Sequence, residues 1–167
     1  MSDEQHFSTT VDSQFGPLTL VATNLGLRAV LWPGDTGRRV PLPDQVADNP
    51  HHPILAKTRI QLKEYLTGER KQFEIPLDLR GTEFQQQAWQ ALADIPYGET
   101  ASYSEQAMRI GRPRAVRAIG AANGRNPISI ILPCHRVIGA SGNLTGFAGG
   151  LETKSGLLEL ERSHADG

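Results

Sequence analysis

Four apolar residues, Ile128, Ile130, Ile131 and Leu132, are stopped by Pro133, and the single cysteine of the chain comes next. A run of this kind reads as a short buried strand, and proline ends it because it has no N–H to give a sheet ladder. Whatever else the chain folds into, its core must deliver Cys134 to a place where a buried segment meets a loop. His135 and Arg136 follow directly. A neighbouring histidine or fixed cation is the usual means of lowering a thiol pKa and making a thiolate nucleophile. Adjacent side chains on a regular strand point to opposite faces, so Cys134 and His135 cooperate only if the backbone turns between them or a water bridges them. By residue type alone, a lone cysteine is most often a small buried hydrophobe.

The net charge of −1 hides an uneven distribution. Between Glu105 and Glu152 there is no Asp or Glu, whereas Arg109, Arg112, Arg114, Arg117, Arg125 and Arg136 all fall there. Such asymmetry marks a surface built for an anion, with nucleic acid first among candidates; the alternative is a solvated basic face paired with the acidic half. One cysteine excludes an internal disulfide and a cysteine-rich zinc site. The polar start, Met1 to Thr10, has no signal-peptide core, and no run is long enough to span a membrane. A soluble cytoplasmic protein is expected, and a monomer, since no dimer seam is evident.

The length allows one domain or two small ones. Residues 7 to 32 alternate as strands do, with turn signals at Phe15-Gly16-Pro17 and Asn24-Leu25-Gly26, so a three-stranded meander is expected. Pro33 to Pro53 reads as a long polar loop, and His51 and His52 as loop residues within it. Ile54 to Leu66 has helical spacing and stops at Gly68; Gln72 to Leu79 offers a further strand. Composition changes at Asp78-Leu79-Arg80-Gly81, which places a domain boundary near residue 80. Thr82 with Gln85 is a capping box opening a helix whose Phe84, Ala88, Trp89, Leu92 and Ile95 share a face. Ser102 with Glu105 opens another, to Ile110; Gly111 makes the turn, and Pro113 begins a helix to about Asn123. Two helices joined by a tight glycine turn are the helix-turn-helix signature. Ala115, Ala118, Gly120, Ala121 and Ala122 leave little side chain to reach base edges, which suits close backbone approach to a minor groove. The expected fold is α+β in two domains: 1–80, a small antiparallel sheet with a helix, and 81–167, mostly helical with a helix-turn-helix and a short buried strand leading to Cys134.

Taken in order, Phe84-Gln85 with Trp89, Ile95 to Thr100 (IPYGET), Ser102-Tyr103, Arg117-Ala118-Ile119-Gly120, Asn123-Gly124-Arg125-Asn126-Pro127, Pro133 to Gly139 (PCHRVIG), Ser141-Gly142, and Leu157-Leu158 before Glu161 make the second unit specific. It resembles the catalytic domain of the O6-alkylguanine-DNA alkyltransferases, in their bacterial Ogt-like form, over nearly all of residues 81 to 161. Gly16-Pro17-Leu18 and Gly26-Leu27 are similar to that family's less specific first domain.

The resemblance implies direct-reversal DNA repair: irreversible, stoichiometric transfer of an alkyl group from O6 of guanine in double-stranded DNA, with O4-alkylthymine a further substrate, to the protein's own Cys134. It implies that His135 takes the thiol proton through a water, that Glu161 holds His135, that Asn126 buttresses the active-site turn, and that Tyr103 crowds the phosphate and donates to the guanine ring. Arg117 would fill the gap left by the flipped base. Arg114, Ala115, Ala118, Ala121, Asn123 and Arg125 would face the DNA, and Val137, Phe147 and Ala148 the base. Phe147 and Ala148 stand where relatives can carry tyrosine and serine, which bears on pocket shape. The zinc site of some relatives' first domain lacks its cysteines here, so neither metal nor cofactor is expected. Two other readings compete. A non-reacting lesion binder would replace the cysteine, which is present; a helix-turn-helix redox regulator would show a resolving thiol and dimerisation elements, neither of which is visible.

Overall fold

The structure is a computed structural model describing residues 4–35, 37–144 and 146–165, so the first residues of the polar start lie outside it. The chain divides into two compact units at Arg80/Gly81.

In the first unit, β1 (Phe7–Val11), β2 (Leu18–Ala22) and β3 (Leu27–Leu31) form the antiparallel meander. The expected long loop contributes a fourth strand, β4 (Ala47–Asp48), parallel to β1, giving the order β3-β2-β1-β4. Periodicity could not show it, because two residues carry no alternation. Helix α1 (Pro53–Leu66) buries Leu55, Leu62 and Tyr65, while the strands bury Leu18, Leu20 and Leu27. His52 is more than a loop residue: its Nδ1 accepts from the Ile54 N–H at 3.2 Å as N-cap of α1. The segment 72–79 is not a strand. It makes one bridge, Leu77 to Leu27, flanked by bonds between Leu27 N–H and Pro76 O and between Asp78 N–H and Leu27 O, both 2.8 Å. Gly26 permits that approach, since a Cβ there would lie 2.6 Å from Pro76 O.

The second unit is mostly helical. Both capping boxes form, Thr82/Gln85 on α2 (Glu83–Leu92) and Ser102/Glu105 on α3 (Tyr103–Arg109). Helix α4 is Val116–Gly124, shorter at its start than expected, so Arg114 and Ala115 lie in the connection before it. Ala88, Ala107, Ile119 and Ala122 pack into one small core with Phe84, Tyr103 and Ile110 against it. Polar ties fix the three helices: Trp89 Nε1–H donates to Ala122 O at 2.7 Å, and Gln106 Nε2 donates to Ala88 O at 3.0 Å. Strands β5 (Ala101–Ser102) and β6 (Val137–Ile138) pair in parallel, and α5 (Leu151–His164) closes the unit.

The α+β class in two units stands, but the buried strand leading to Cys134 does not form. Ile128 to Leu132 is a tight turn with an isolated bridge between Ser129 and Leu132 and a bond from Leu132 N–H to Ile128 O at 3.0 Å. Ile130 takes φ +74°, a left-handed conformation that a β-branched residue rarely adopts. Its side chain, 1% exposed, supplies the burial that holds the strained backbone in place.

Candidate active site

Pro133 hands the chain from that turn into one turn of 3-10 helix, Cys134–Arg136. Cys134 and His135 therefore sit on a curved backbone, and the strand-geometry objection to their cooperation falls away. All three residues are buried, and Cys134 is 7% exposed. Asn126 clamps the preceding turn from inside: its Nδ2 donates to Leu132 O at 2.7 Å, and its Oδ1 accepts from the Ile128 N–H at 3.0 Å.

The face of α5 formed by Lys154, Leu157, Leu158 and Glu161 is buried, and α5 packs on the Cys134–Arg136 turn. The spacing of seven between Lys154 and Glu161 sets them two helical turns apart on that face. Glu161 is wholly buried and satisfied at both oxygens. Oε2 meets His135 Nε2 at 2.6 Å and Arg136 Nη2 at 3.0 Å; Oε1 meets Arg136 Nε at 2.8 Å and the Gly98 N–H at 3.3 Å. Arg136 Nη1 also donates to Ile95 O at 2.6 Å. Arg136, counted by sequence with the anion-facing arginines, is thus an inward residue forked on Glu161. Sequence could not separate it from the other five, because charge alone carries no direction. Arg109, Arg112, Arg114, Arg117 and Arg125 are exposed.

Burial pushes the His135 pKa down, and this outweighs the bond to Glu161 that pushes it up. The ring is therefore neutral at pH 7, with Nε2–H donating to Glu161 and Nδ1 left as the basic nitrogen. Burial also raises the Glu161 pKa, but the bonds from His135 and Arg136 prevail and hold its carboxyl well below the usual range. His135 first, and the Arg136 fork after it, keep Glu161 ionised.

Beside α4 lies an open groove of about 550 Å³ lined by Tyr103, Val116, Gly120, Gly124, Gly146, Phe147 and Ala148. It gathers three of the expected residues, Tyr103, Phe147 and Ala148, and adds the α4 row Val116, Gly120, Gly124, whose spacing of four puts them on one side of the helix. A Cβ at Gly120 or Gly124 would meet nothing within 4 Å. Val137 is fully buried in β6 and is not among the groove residues. On α4, Arg117, Ala118 and Ala121 are exposed, as is Arg125 just beyond it. Asn123 is turned differently: its amide exchanges two bonds with Gln106, at 2.8 and 2.9 Å, which ties α3 to α4 instead of offering that amide outward. Lys154, 1% exposed, was not found by sequence reasoning; its only signal was the i−7 spacing from Glu161.

These features define a small α+β protein in two units in which a buried cysteine is followed, within one turn, by a histidine and an arginine that share one buried carboxylate. Models of the two domains of one family match it: 6-O-methylguanine DNA methyltransferase, ribonuclease-like domain, over residues 7–79, and the same protein's DNA binding domain over 83–163. The methylated-DNA--protein-cysteine methyltransferase of Mycobacterium tuberculosis is 50% identical over 161 residues, covering 93% of this chain and 92% of that one. Its counterpart in Methanosarcina acetivorans is 47% identical over 152 residues, 91% of this chain and 96% of that one. The crystal structure of Mycobacterium tuberculosis OGT in complex with DNA superposes with a TM-score of 0.86 at 48% identity, covering 96% of this chain and 94% of that one. The chain belongs to the 6-O-methylguanine DNA methyltransferase family.

Proposed function

We propose that this protein repairs double-stranded DNA by moving the alkyl group of O6-alkylguanine onto Cys134, once per molecule. The single observation that carries the reading is the turn Cys134–Arg136, which places a thiol next to a buried histidine whose other nitrogen is held by Glu161.

The reaction is a displacement at carbon. His135 Nδ1 takes the Cys134 proton through a water, and Glu161 and Arg136 keep the imidazole in the tautomer that can accept it. The thiolate pair forms an S–C bond as the C–O6 bond breaks, and its electrons pass into the guanine ring. One proton leaves sulfur and one reaches guanine, so the charge balances; Tyr103, on the wall of the groove, donates to the ring as negative charge builds. The product thioether is stable and nothing in the site reverses it, so the protein is consumed.

A base inside a duplex must be turned out of the stack, at a cost of a few kcal/mol. Arg117, exposed on α4, fills the vacancy, and the small exposed side chains Ala118 and Ala121 let the helix backbone approach the minor groove. Arg114 and Arg125 hold phosphates, which makes binding steeply salt-dependent. The groove against α4 receives the extruded nucleotide, with Phe147 and Ala148 shaping the space around its alkyl group. No helix among the described residues is long and apolar enough to cross a membrane, and we place the protein in the cytoplasm with the DNA, acting as a monomer without metal or cofactor. O4-alkylthymine offers the same electrophilic carbon as a second substrate.

The test is stoichiometric titration of a duplex carrying one O6-methylguanine. One molar equivalent of protein restores guanine in full and half an equivalent restores half, with no further turnover; Cys134→Ser restores none. Continued repair by a substoichiometric amount, or repair by Cys134→Ser, would refute the reading.

A further inference from the structure

The last turn of α4 is weak by its own sequence and is held from outside. Gly120 and Gly124 flank it, and glycine is a poor helix former. Two neighbouring helices supply the stiffness, one residue each. Trp89 of α2 donates to Ala122 O, and Gln106 of α3, 1% exposed, meets Asn123. Ala88 O can only accept, so Gln106 Nε2 faces it, at 3.0 Å, and donates as well to Asn123 Oδ1 at 2.9 Å. Gln106 Oε1 is then left to accept from Asn123 Nδ2 at 2.8 Å. One buried amide therefore refers Asn123 to α2 and α3 together.

From Asn123 to the cysteine the chain is joined bond by bond. Arg125 N–H donates to Ala122 O and Asn126 N–H to Asn123 O, at 3.0 and 3.2 Å, so residues 125 and 126 follow the helix end. The Asn126 side chain holds Ile128 N–H and Leu132 O, and Leu132 O also accepts from the Cys134 N–H at 2.8 Å. We propose that Gln106 is a positioning residue for alkyl transfer: through Asn123 it sets the last turn of α4, and with it the Asn126 clamp that presents Cys134. It touches neither the sulfur nor the alkyl group. Because α4 also carries the exposed Arg117, the same amide pair holds the DNA-facing helix and the acceptor turn in one frame. The inference rests on Cys134 being the acceptor, and one arm of its test uses no DNA.

In Gln106→Met, which fills similar space without the amide, single-turnover transfer from a saturating O6-methylguanine duplex falls about tenfold as the thiol moves off line, while the Kd for that duplex stays within about twofold. Amide hydrogen exchange followed by NMR quickens about tenfold at Ile128 and keeps its wild-type rate at Leu158 in α5. Because the action runs through Asn126, the double variant Gln106→Met/Asn126→Ala transfers at the rate of Asn126→Ala alone. Exchange that quickens equally at both amides, with an unmoved transfer rate, would make Gln106 a residue of stability only and overturns the proposal. Losses that multiply in the double variant overturn it as well. Should Gln106→Met not fold, Asn123→Ala removes the same pair from a half-buried helical position that favours alanine, leaves Gln106 on Ala88, and is read in the same three ways. A wild-type chain that takes no methyl group from DNA would refute the repair reading alone, and exchange at Ile128 would still decide whether Gln106 sets the turn.

Discussion

Glu161 concentrates more of the site than any other residue, since its two oxygens gather His135, Arg136 and the Gly98 N–H. Glu161→Gln removes the charge and leaves the Arg136 guanidinium buried without its counter-ion, which costs on the order of 3–5 kcal/mol. Urea denaturation should show that loss, together with a fall in alkyl-transfer rate of about a hundredfold as His135 loses its orienting partner. Asn126→Ala is a cleaner probe of geometry, because it changes no charge. Ile128 N–H would be left buried without its Asn126 partner, at about 1–3 kcal/mol, while Leu132 O would keep the bond it accepts from the Cys134 N–H. We expect a destabilisation of about 1–3 kcal/mol by urea denaturation, with slowed transfer in the fraction still folded. That Cys134, His135 and Arg136 stand together was legible in the chain because Pro133-Cys134-His135-Arg136 is contiguous. The inward turn of Arg136 and the burial of Lys154 were not, since both depend on α5 docking from elsewhere in the chain.

At the scale of elements, the unit works by holding α3 and α4 rigidly while leaving the outer side of α4 bare. The Gln106–Asn123 amide pair and the Trp89–Ala122 bond do the holding. Arg117 is exposed on that side, and in the proposed mechanism its substitution separates flipping from chemistry. In Arg117→Ala, transfer from O6-methylguanine in a duplex should fall by about a hundredfold, consistent with losing a few kcal/mol of help against unstacking. Transfer from the free base O6-benzylguanine, which needs no flipping, should stay within about threefold of wild type; an equal loss in both assays would place Arg117 in the chemistry instead. Capping boxes, the glycine turn at Gly111 and the meander were readable because each is a local signal. The 128–132 turn was not: its apolar composition reads as a strand, and only the Asn126 clamp and the buried Ile130 side chain make the tighter path hold. The two-residue strand β4 was equally silent, being defined by pairing with β1 and not by its own sequence.

For the whole molecule, each unit contains a buried histidine whose pKa burial lowers, His6 in the first and His135 in the second. The folded state then binds fewer protons than the unfolded chain, in which histidine titrates near 6.5. Stability is fully present above that value and declines as pH falls below it towards the folded-state values. His135 alone contributes up to about 1.4 kcal/mol per pH unit over that window. Thermal melts between pH 8 and pH 5 should show the decline, and His135→Gln should flatten part of it; a melt unchanged across the range would show that neither ring is held neutral. Division into two units was legible in the change of composition at residues 78–81, and the family in one short motif with its spaced companions.

In the proposed reaction one thiol accepts one alkyl group. Intact-mass measurement after mixing the protein with duplex DNA carrying a single O6-methylguanine, followed by peptide mapping, tests this. The expected result is a gain of one methylene per molecule, confined to the peptide containing Cys134 and lost in Cys134→Ser. An unchanged mass, with the lesion still bound, would contradict it and make the protein a lesion binder; a gain on any other residue would contradict the assignment of Cys134.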